Sequence, residues 1–306
     1  MSTDATLASP SDAVADPAAP QPNREIRDWR ASAWVIPPLL VVLAIAVYPL
    51  VRVLTDSTTG TGQSTWGAVL TSEVFTDALV TTARIAVCST VGCLILGSFV
   101  AVVLAFVPFP GATLVARLID TILALPSFLI TLAFTFLYGT AGAVNALLAE
   151  TVGARPLNFL ATPAGVIAAE ITFFTPFVVR PLLASFATIS GDQLNVAASL
   201  GASPWRVLRS VILPEALPAL MAGGSLVLLL TLNEFGIVLF TGAKDVITLP
   251  MLIYTRGIVT FDVAGAAVIA TVQVTLSLLL YGAYRMAFHR LHTRRQGHCL
   301  LYTSPS

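Results

Sequence analysis

The chain has 306 residues, 56% of them hydrophobic and only 10% charged, with a mean hydropathy of +0.87 and a formal net charge of zero. That balance lies outside the range of ordinary soluble domains and places the chain in the membrane class, while zero net charge leaves no basic footprint for nucleic acid. The length permits one membrane domain of several spans, and the cysteines, Cys88 and Cys93 inside an apolar run and Cys299 in the tail, have neither disulfide nor metal spacing and read as buried small residues in the first two cases.

Met1 to about Asn23 is rich in Ala, Pro, Ser and Asp without apolar periodicity, which predicts a disordered tail over residues 1–30. It does not read as a signal peptide, because the first apolar run starts late, is long enough to span, and lacks a following small-residue cleavage site. That run, about Trp34 to Leu54, is the first predicted span: roughly 20 apolar residues at ~1.5 Å each cross a ~30 Å hydrocarbon core. A polar interval from Thr55 to Asp77 leads to the second span, about Leu79 to Phe106, which ends abruptly in Val107-Pro108-Phe109-Pro110-Gly111.

The third span, about Leu114 to Tyr138, carries Pro126 as an expected kink, and Gly139 to Pro163 reads as a loop holding Glu150 and Arg155. The fourth, about Ala164 to Val179, includes Pro176, with Arg180 at its charged end. After a polar interval from Ser190 to Pro214 come the fifth, about Leu217 to Thr241, and the sixth, about Val263 to Ala287. Residues 31–290 therefore read as one all-α domain of six transmembrane helices, followed by a tail over 291–306. The final stretch, His298 to Ser306, breaks the basic tail without forming an element and reads as non-native.

Six spans put both termini on one side, and the arginines say which. With the termini in the cytoplasm, that side collects Arg24, Arg27, Arg30, Arg117, Arg180, Arg206, Arg209, Arg285, Arg290, Arg294 and Arg295, whereas the outer side keeps Arg52, Arg84, Arg155, Lys244 and Arg256. The Ser190 to Pro214 interval is then cytoplasmic. Ser190 and Gln193 have capping-box spacing and should start a short helix, which Gly201 should end in a left-handed conformation. Ser203-Pro204 reads as an N-cap with proline at the first helical position, and Pro214 is expected to stop that second helix. Leu194, Ala197 and Ala198 share one face of the first helix; Trp205, Leu208 and Ile212 share one of the second, with Arg206 and Arg209 on another side.

The sequence contains no phosphate loop, no HExxH motif and no serine elbow, and its histidines, His289, His292 and His298, all lie near the C-terminus. The chain should neither hydrolyse ATP nor act as an enzyme, and it needs no cofactor or metal of its own. Polar residues inside spans are costly enough to mark function. Glu170 on the fourth span, Asn233 and Glu234 on the fifth and Gln273 on the sixth fall at comparable depth in the outer half, either lining a translocation path or joining helices by hydrogen bonds. A secondary transporter is an alternative class, but it leaves the polar interval unexplained.

That interval resembles the EAA loop of ABC importer permeases, in which Glu-Ala-Ala is followed by three residues, Gly, nine residues, an aliphatic residue, any residue and Leu-Pro. Here it reads Asn195-Val196-Ala197, then Gly201, then Val211-Ile212-Leu213-Pro214. Asn195 stands in place of the family's acid and Val196 in place of its first alanine. The resemblance, over about residues 34 to 290, implies the type I ABC importer permease fold in a bacterial inner (plasma) membrane. It also implies a coupling loop, with Trp205 and Arg206 at its docking elbow, seated on a separate ABC ATPase subunit that binds the ATP. Further implied partners are a second permease subunit, identical or homologous, an extracytoplasmic substrate-binding protein and the lipid bilayer. The run Asn233-Glu234-Phe235-Gly236-Ile237-Val238-Leu239-Phe240-Thr241-Gly242, with Thr248-Leu249-Pro250 and Ile253-Tyr254, looks most like permeases for 2-aminoethylphosphonate; those for ferric iron, polyamines, thiamine and sulfate share parts of it.

Overall fold

The computed structural model describes residues 34–153, 159–160, 162–243 and 246–300, and the side chains of Val152 and of residues 291–300 fall outside that description. The expected N-terminal tail with Arg24, Arg27 and Arg30, and also Arg155 and Lys244, lie outside the described residues. Among the described residues, six helical runs are long and apolar enough to cross a membrane. The first, α1 (Ile36–Ser57), is a 22-residue helix with Pro49 inside it.

Beyond it, a single 3-10 turn at Gly62–Ser64 leads into α2 (Trp66–Leu70) and then α3 (Glu73–Phe106). Both helices start where the sequence offers a hydroxyl cap. The Ala68 N–H donates to Thr65 Oγ1 at 3.4 Å and the Phe75 N–H to Ser72 Oγ at 3.3 Å. With 34 residues, α3 runs about 51 Å and is the second span.

The third apolar run is broken, not kinked. α4 (Ala112–Ala124) ends at Leu125 and α5 (Ser127–Tyr138) begins after Pro126, both linking residues being extended, with ψ of 143° and 144°. A residue before proline is pushed out of the α region, so the helix stops one residue earlier than a kink would require. The continuous apolar stretch consequently extends from Ser127 to Thr151, because Ala143–Val152, expected to be loop, forms α6.

Pro176, by contrast, interrupts little. α7 (Pro163–Phe174) and α8 (Pro176–Phe186) join through Thr175, which keeps helical angles (φ −51°, ψ −41°) and donates its hydroxyl to the Ile171 carbonyl at 2.6 Å. Arg180 does not mark the end of this span. It lies within α8, compensated by an ion pair to Asp120 of α4.

α9 (Gly191–Ser199) and α10 (Pro204–Val207) occupy the polar interval, and α11 (Leu213–Leu232) is the core of the fifth span. That span ends nine residues earlier than expected, at Leu232 in place of Thr241; α12 (Gly236–Thr241) is a separate short helix. α13 (Leu249–Tyr254), which the apolar periodicity did not reveal, is anchored by the Leu249 N–H donating to Thr82 Oγ1 at 2.8 Å. The last helix, α14 (Val263–Leu300), contains the sixth span over Val263–Arg290.

At the start of α14, Asp262 accepts from Ser64 Oγ at 2.7 Å and from the Gly265 N–H at 2.9 Å, and pairs with Arg256 at 3.3 Å. Partial burial works against its charge, but the Ser64 and Gly265 hydrogen bonds and the Arg256 guanidinium outweigh it and hold the carboxyl below the usual aspartate range. Cys93 is buried and Cys88 is exposed, so only the first fits the expected burial.

The largest core joins α3, α7, α8 and α11, and within it Val178 of α8 is fully buried. Two glycines admit it. A Cβ on Gly97 of α3 would come within 2.8 Å of Val178 Cβ; one on Gly223 of α11 would stand 3.1 Å from the Phe177 carbonyl and 3.2 Å from Val178 Cα. Small residues at such crossings let helices approach in lipid, where no hydrophobic force drives them together. Gly223→Val therefore meets backbone and should cost about 3 kcal/mol or more by overpacking. Gly282→Val, where a Cβ has nothing within 4 Å, should be tolerated. Thermal unfolding midpoints of the two variants in detergent check the difference.

Candidate functional site

The first half of the site is the elbow between α9 and α10. Ser190 caps α9 by accepting from the Gln193 N–H at 3.4 Å; the return bond from the Gln193 side chain is not formed. Gly201 ends the helix with φ +74°, its N–H donating to the Ala198 carbonyl at 2.9 Å while the Ala202 N–H donates to Ala197 at 3.1 Å. This is a Schellman closure, the expected use of glycine. Ser203 and Pro204 open α10 as the sequence requires.

Pro214 does not stop that helix. Leu208–Ile212 forms one π turn, in which the Leu213 N–H donates back five residues to the Leu208 carbonyl, and α11 follows without interruption. In a regular helix the Pro214 ring would crowd the Ser210 carbonyl and find no N–H to offer it. The extra residue of the π turn lies immediately before the proline and relieves that conflict. Ser210 Oγ donates to the Arg206 carbonyl at 2.5 Å, within the same turn. The elbow and the fifth span are thus one continuous helical rod, Pro204–Leu232.

One face of the elbow is seated on the subunit. Leu194, Val207 and Leu208 pack against the core that holds Phe186, Ile212 and Ala216. Away from that core the elbow is open and apolar: Val196 is 59% exposed, Leu200 82% and Trp205 70%. Trp205 shares the face of Leu208 and Ile212, as its spacing implies, at its exposed end, and lines two grooves there, one bordered by Phe99 and Arg209 and the other by Phe106 and Leu194. Asn195, Gly201, Arg206 and Leu213 are exposed, whereas Ala197, Val211 and Pro214 are partly covered.

The second half is the break in the fifth apolar run at 233–235. Gln273 Nε2 donates to the Leu232 carbonyl at 2.6 Å, satisfying a helix end that has lost its own partner. Asn233 turns back and donates to the Leu229 carbonyl at 2.8 Å. Glu234 caps α12, its Oε1 accepting from the Ile237 N–H at 2.9 Å and from Ser127 Oγ at 3.1 Å. Glu170 lies deeper, only 1% exposed, beside Ser89 and within electrostatic reach of Glu234, and its Oε2 has no hydrogen-bond partner. The two carboxyls are brought together as their depths implied; Gln273 serves the helix end, and Asn233 bonds its own helix.

Ser127 was not legible as part of this site. Its signal was the preceding Pro126, which as a chain break places a hydroxyl at a helix start facing Glu234. A partly exposed carboxyl backed by a buried one offers a seat for a cationic group; among the described residues no cluster of His, Cys, Asp and Glu could hold a metal ion.

A family model for the inner membrane component of binding-protein-dependent transport systems matches residues 93–293, well over half of the chain. The chain belongs to this family. A protein of Salmonella paratyphi A described as a putative 2-aminoethylphosphonate transport system permease protein, PhnU, is 48% identical over 273 residues, covering 87% of this chain and 94% of that protein. The sulfate transport system permease protein CysT of Escherichia coli K12 is 31% identical over 208 residues, covering 67% of this chain and 73% of that one. Among solved structures, a chain of a bacterial alginate ABC transporter superposes with a TM-score of 0.74 at 19% identity, covering 87% of this chain and 96% of its own. The fold is that of an ABC importer permease, and the protein is a multi-pass inner-membrane permease, not an enzyme.

In this permease Gly201 has open space where a Cβ would stand, so a side chain there strains only the backbone. Left-handed geometry costs a non-glycine residue roughly 1–2 kcal/mol, and more for a β-branched one. Gly201→Val should lower stimulated ATP hydrolysis of the assembled transporter severalfold while lowering the unfolding midpoint of the membrane domain by only a few degrees. Steady-state ATPase assays beside thermal melts distinguish the two effects.

Proposed function

We propose that this permease imports 2-aminoethylphosphonate or a closely similar aminophosphonate, driven by a separate ATPase subunit that docks on the elbow at residues 190–214. The observation that carries the reading is the 48% identity to a putative 2-aminoethylphosphonate permease across 94% of that protein's length. The partly exposed carboxyl at the break agrees with it, since an ammonium group is the part of such a zwitterion that Glu234 would attract. Sulfate, the cargo in the name of the more distant relative, is a dianion with no cationic end and would gain nothing from it.

On this reading Asn195, Val196, Ala197, Gly201, Trp205, Arg206, Val211, Leu213 and Pro214 form the coupling element. Exposed Val196, Leu200 and Trp205 give it an apolar surface to bury in an ATPase cleft. The fold neighbour from the alginate ABC transporter was solved in complex with an alginate-bound periplasmic protein, which supports delivery by an extracytoplasmic binding protein. A second permease subunit would complete the path. The arginine asymmetry supports cytoplasmic termini and a cytoplasmic elbow. Glu170, Asn233, Glu234 and Gln273 would lie along the path, Glu234 facing it and Gln273 supporting the break.

Glu234→Gln keeps size and hydrogen bonding but removes the charge. Charge-assisted contacts contribute ~1.5–3 kcal/mol, so uptake of the aminophosphonate should fall about tenfold or more while the ATPase still co-purifies. Unchanged uptake, or a complex that falls apart, would assign Glu234 to structure alone.

A further inference from the structure

The two hydrogen bonds that anchor Glu234 both end on Oε1, from the Ser127 hydroxyl at 3.1 Å and from the Ile237 N–H at 2.9 Å, with the Gly236 N–H also set against the carboxyl. The hydroxyl arrives there because Pro126 breaks the third apolar run and starts α5 at this point. Phe128 then fixes the start of α5 against α12, its ring centroid 5.4 Å from that of Phe240.

Gly236 keeps the space for this contact. A Cβ on it would stand 3.1 Å from Ser127 Oγ and 3.3 Å from Glu234 Oε1, tight enough to push one of the two aside. A hydroxyl from one interrupted helix, a glycine and a backbone N–H from another thus converge on a single carboxylate oxygen. Structural glue alone needs no such arrangement, since the Ile237 N–H already caps α12 with Glu234.

We propose that Ser127 and Gly236 are specificity-setting positioning residues, which lock Oε1 of Glu234 so that Oε2 is presented to the ammonium group of the substrate. The proposal rests on the reading that Glu234 faces the translocation path. A carboxylate with one oxygen and its plane already fixed loses little further freedom when it takes a cation, and the substrate meets a pre-set acceptor. Ser127 spends its one proton on Oε1 and so stabilises the ionised form without competing for Oε2.

The test is a double-mutant cycle in the complete transporter, permease with its ATPase and binding protein in proteoliposomes, read as turnover of 2-aminoethylphosphonate uptake beside the unfolding midpoint. Ser127→Ala should lower turnover about fivefold with little movement of the midpoint, and Ser127→Thr, which restores a hydroxyl, should return it to within about twofold. Gly236→Ala should mimic Ser127→Ala. Ser127→Ala combined with Glu234→Gln should be no worse than Glu234→Gln alone, because the serine acts only through that carboxylate. Effects that multiply, a threonine variant that fails to rescue, or turnover that falls only in step with the midpoint would overturn the positioning role. If Glu234→Gln impairs uptake and Ser127→Ala does not, this inference alone fails; if Glu234→Gln has no effect, the path reading fails and takes this one with it.

Discussion

The structure depends on one close contact, the seating of Val178 between Gly97 and Gly223. It brings α8 against α3 on one side and α11 on the other, at backbone distances that any side chain would open. α11 carries the elbow at one end and the Glu234 break at the other, so whatever displaces the elbow acts on a rod gripped near its middle. Because the π turn keeps Pro204–Leu232 continuous, displacement of α10 is not absorbed in a loop. Packed interfaces of this kind shift between discrete arrangements more readily than they deform, which suits a subunit whose work is to change access from one side to the other.

The chemistry at the far end of the rod is spare. A helix that stops inside an apolar layer leaves carbonyls and N–H groups that lipid cannot satisfy, and here Gln273, Asn233 and Glu234 meet that need from three directions. Once the break exists, a charged group can stand in it without a helix turn to bury it. Glu170 behind it is enclosed by the bundle, with one oxygen unpartnered. The same break therefore serves as architecture and as a place for a charge.

Local signals were readable wherever short-range chemistry decides. Ser190 as a cap, Gly201 in the left-handed region and Ser203-Pro204 as a helix start all follow from one or two residues, and the apolar runs give the number of spans but misplace the third and fifth by about nine to thirteen residues. Prolines were where the reading failed, and in opposite directions. Pro126 breaks its run, with Leu125 and Pro126 both extended; Pro176 passes, with Thr175 keeping helical angles; Pro214 passes because a π turn absorbs it. Which of these occurs depends on neighbouring groups that a linear pattern does not contain. Trp205 follows its spacing, on the face of Leu208 and Ile212 and exposed where the elbow would dock. α13 stayed hidden because its anchor, Thr82, is 167 residues away. The family motif carried more than any of these, since its glycine ends α9 in the left-handed region and its Leu-Pro directly follows the π turn.

On the proposed function the permease is a transducer with no energy source of its own. Its most direct test is uptake of radiolabelled 2-aminoethylphosphonate into proteoliposomes in which partners and gradients are varied separately. Accumulation should require the permease, its ATPase, the loaded binding protein and hydrolysable ATP together, and should persist when ionophores collapse every ion gradient. Accumulation by the permease alone, driven by an imposed proton or sodium gradient without ATP, would contradict it.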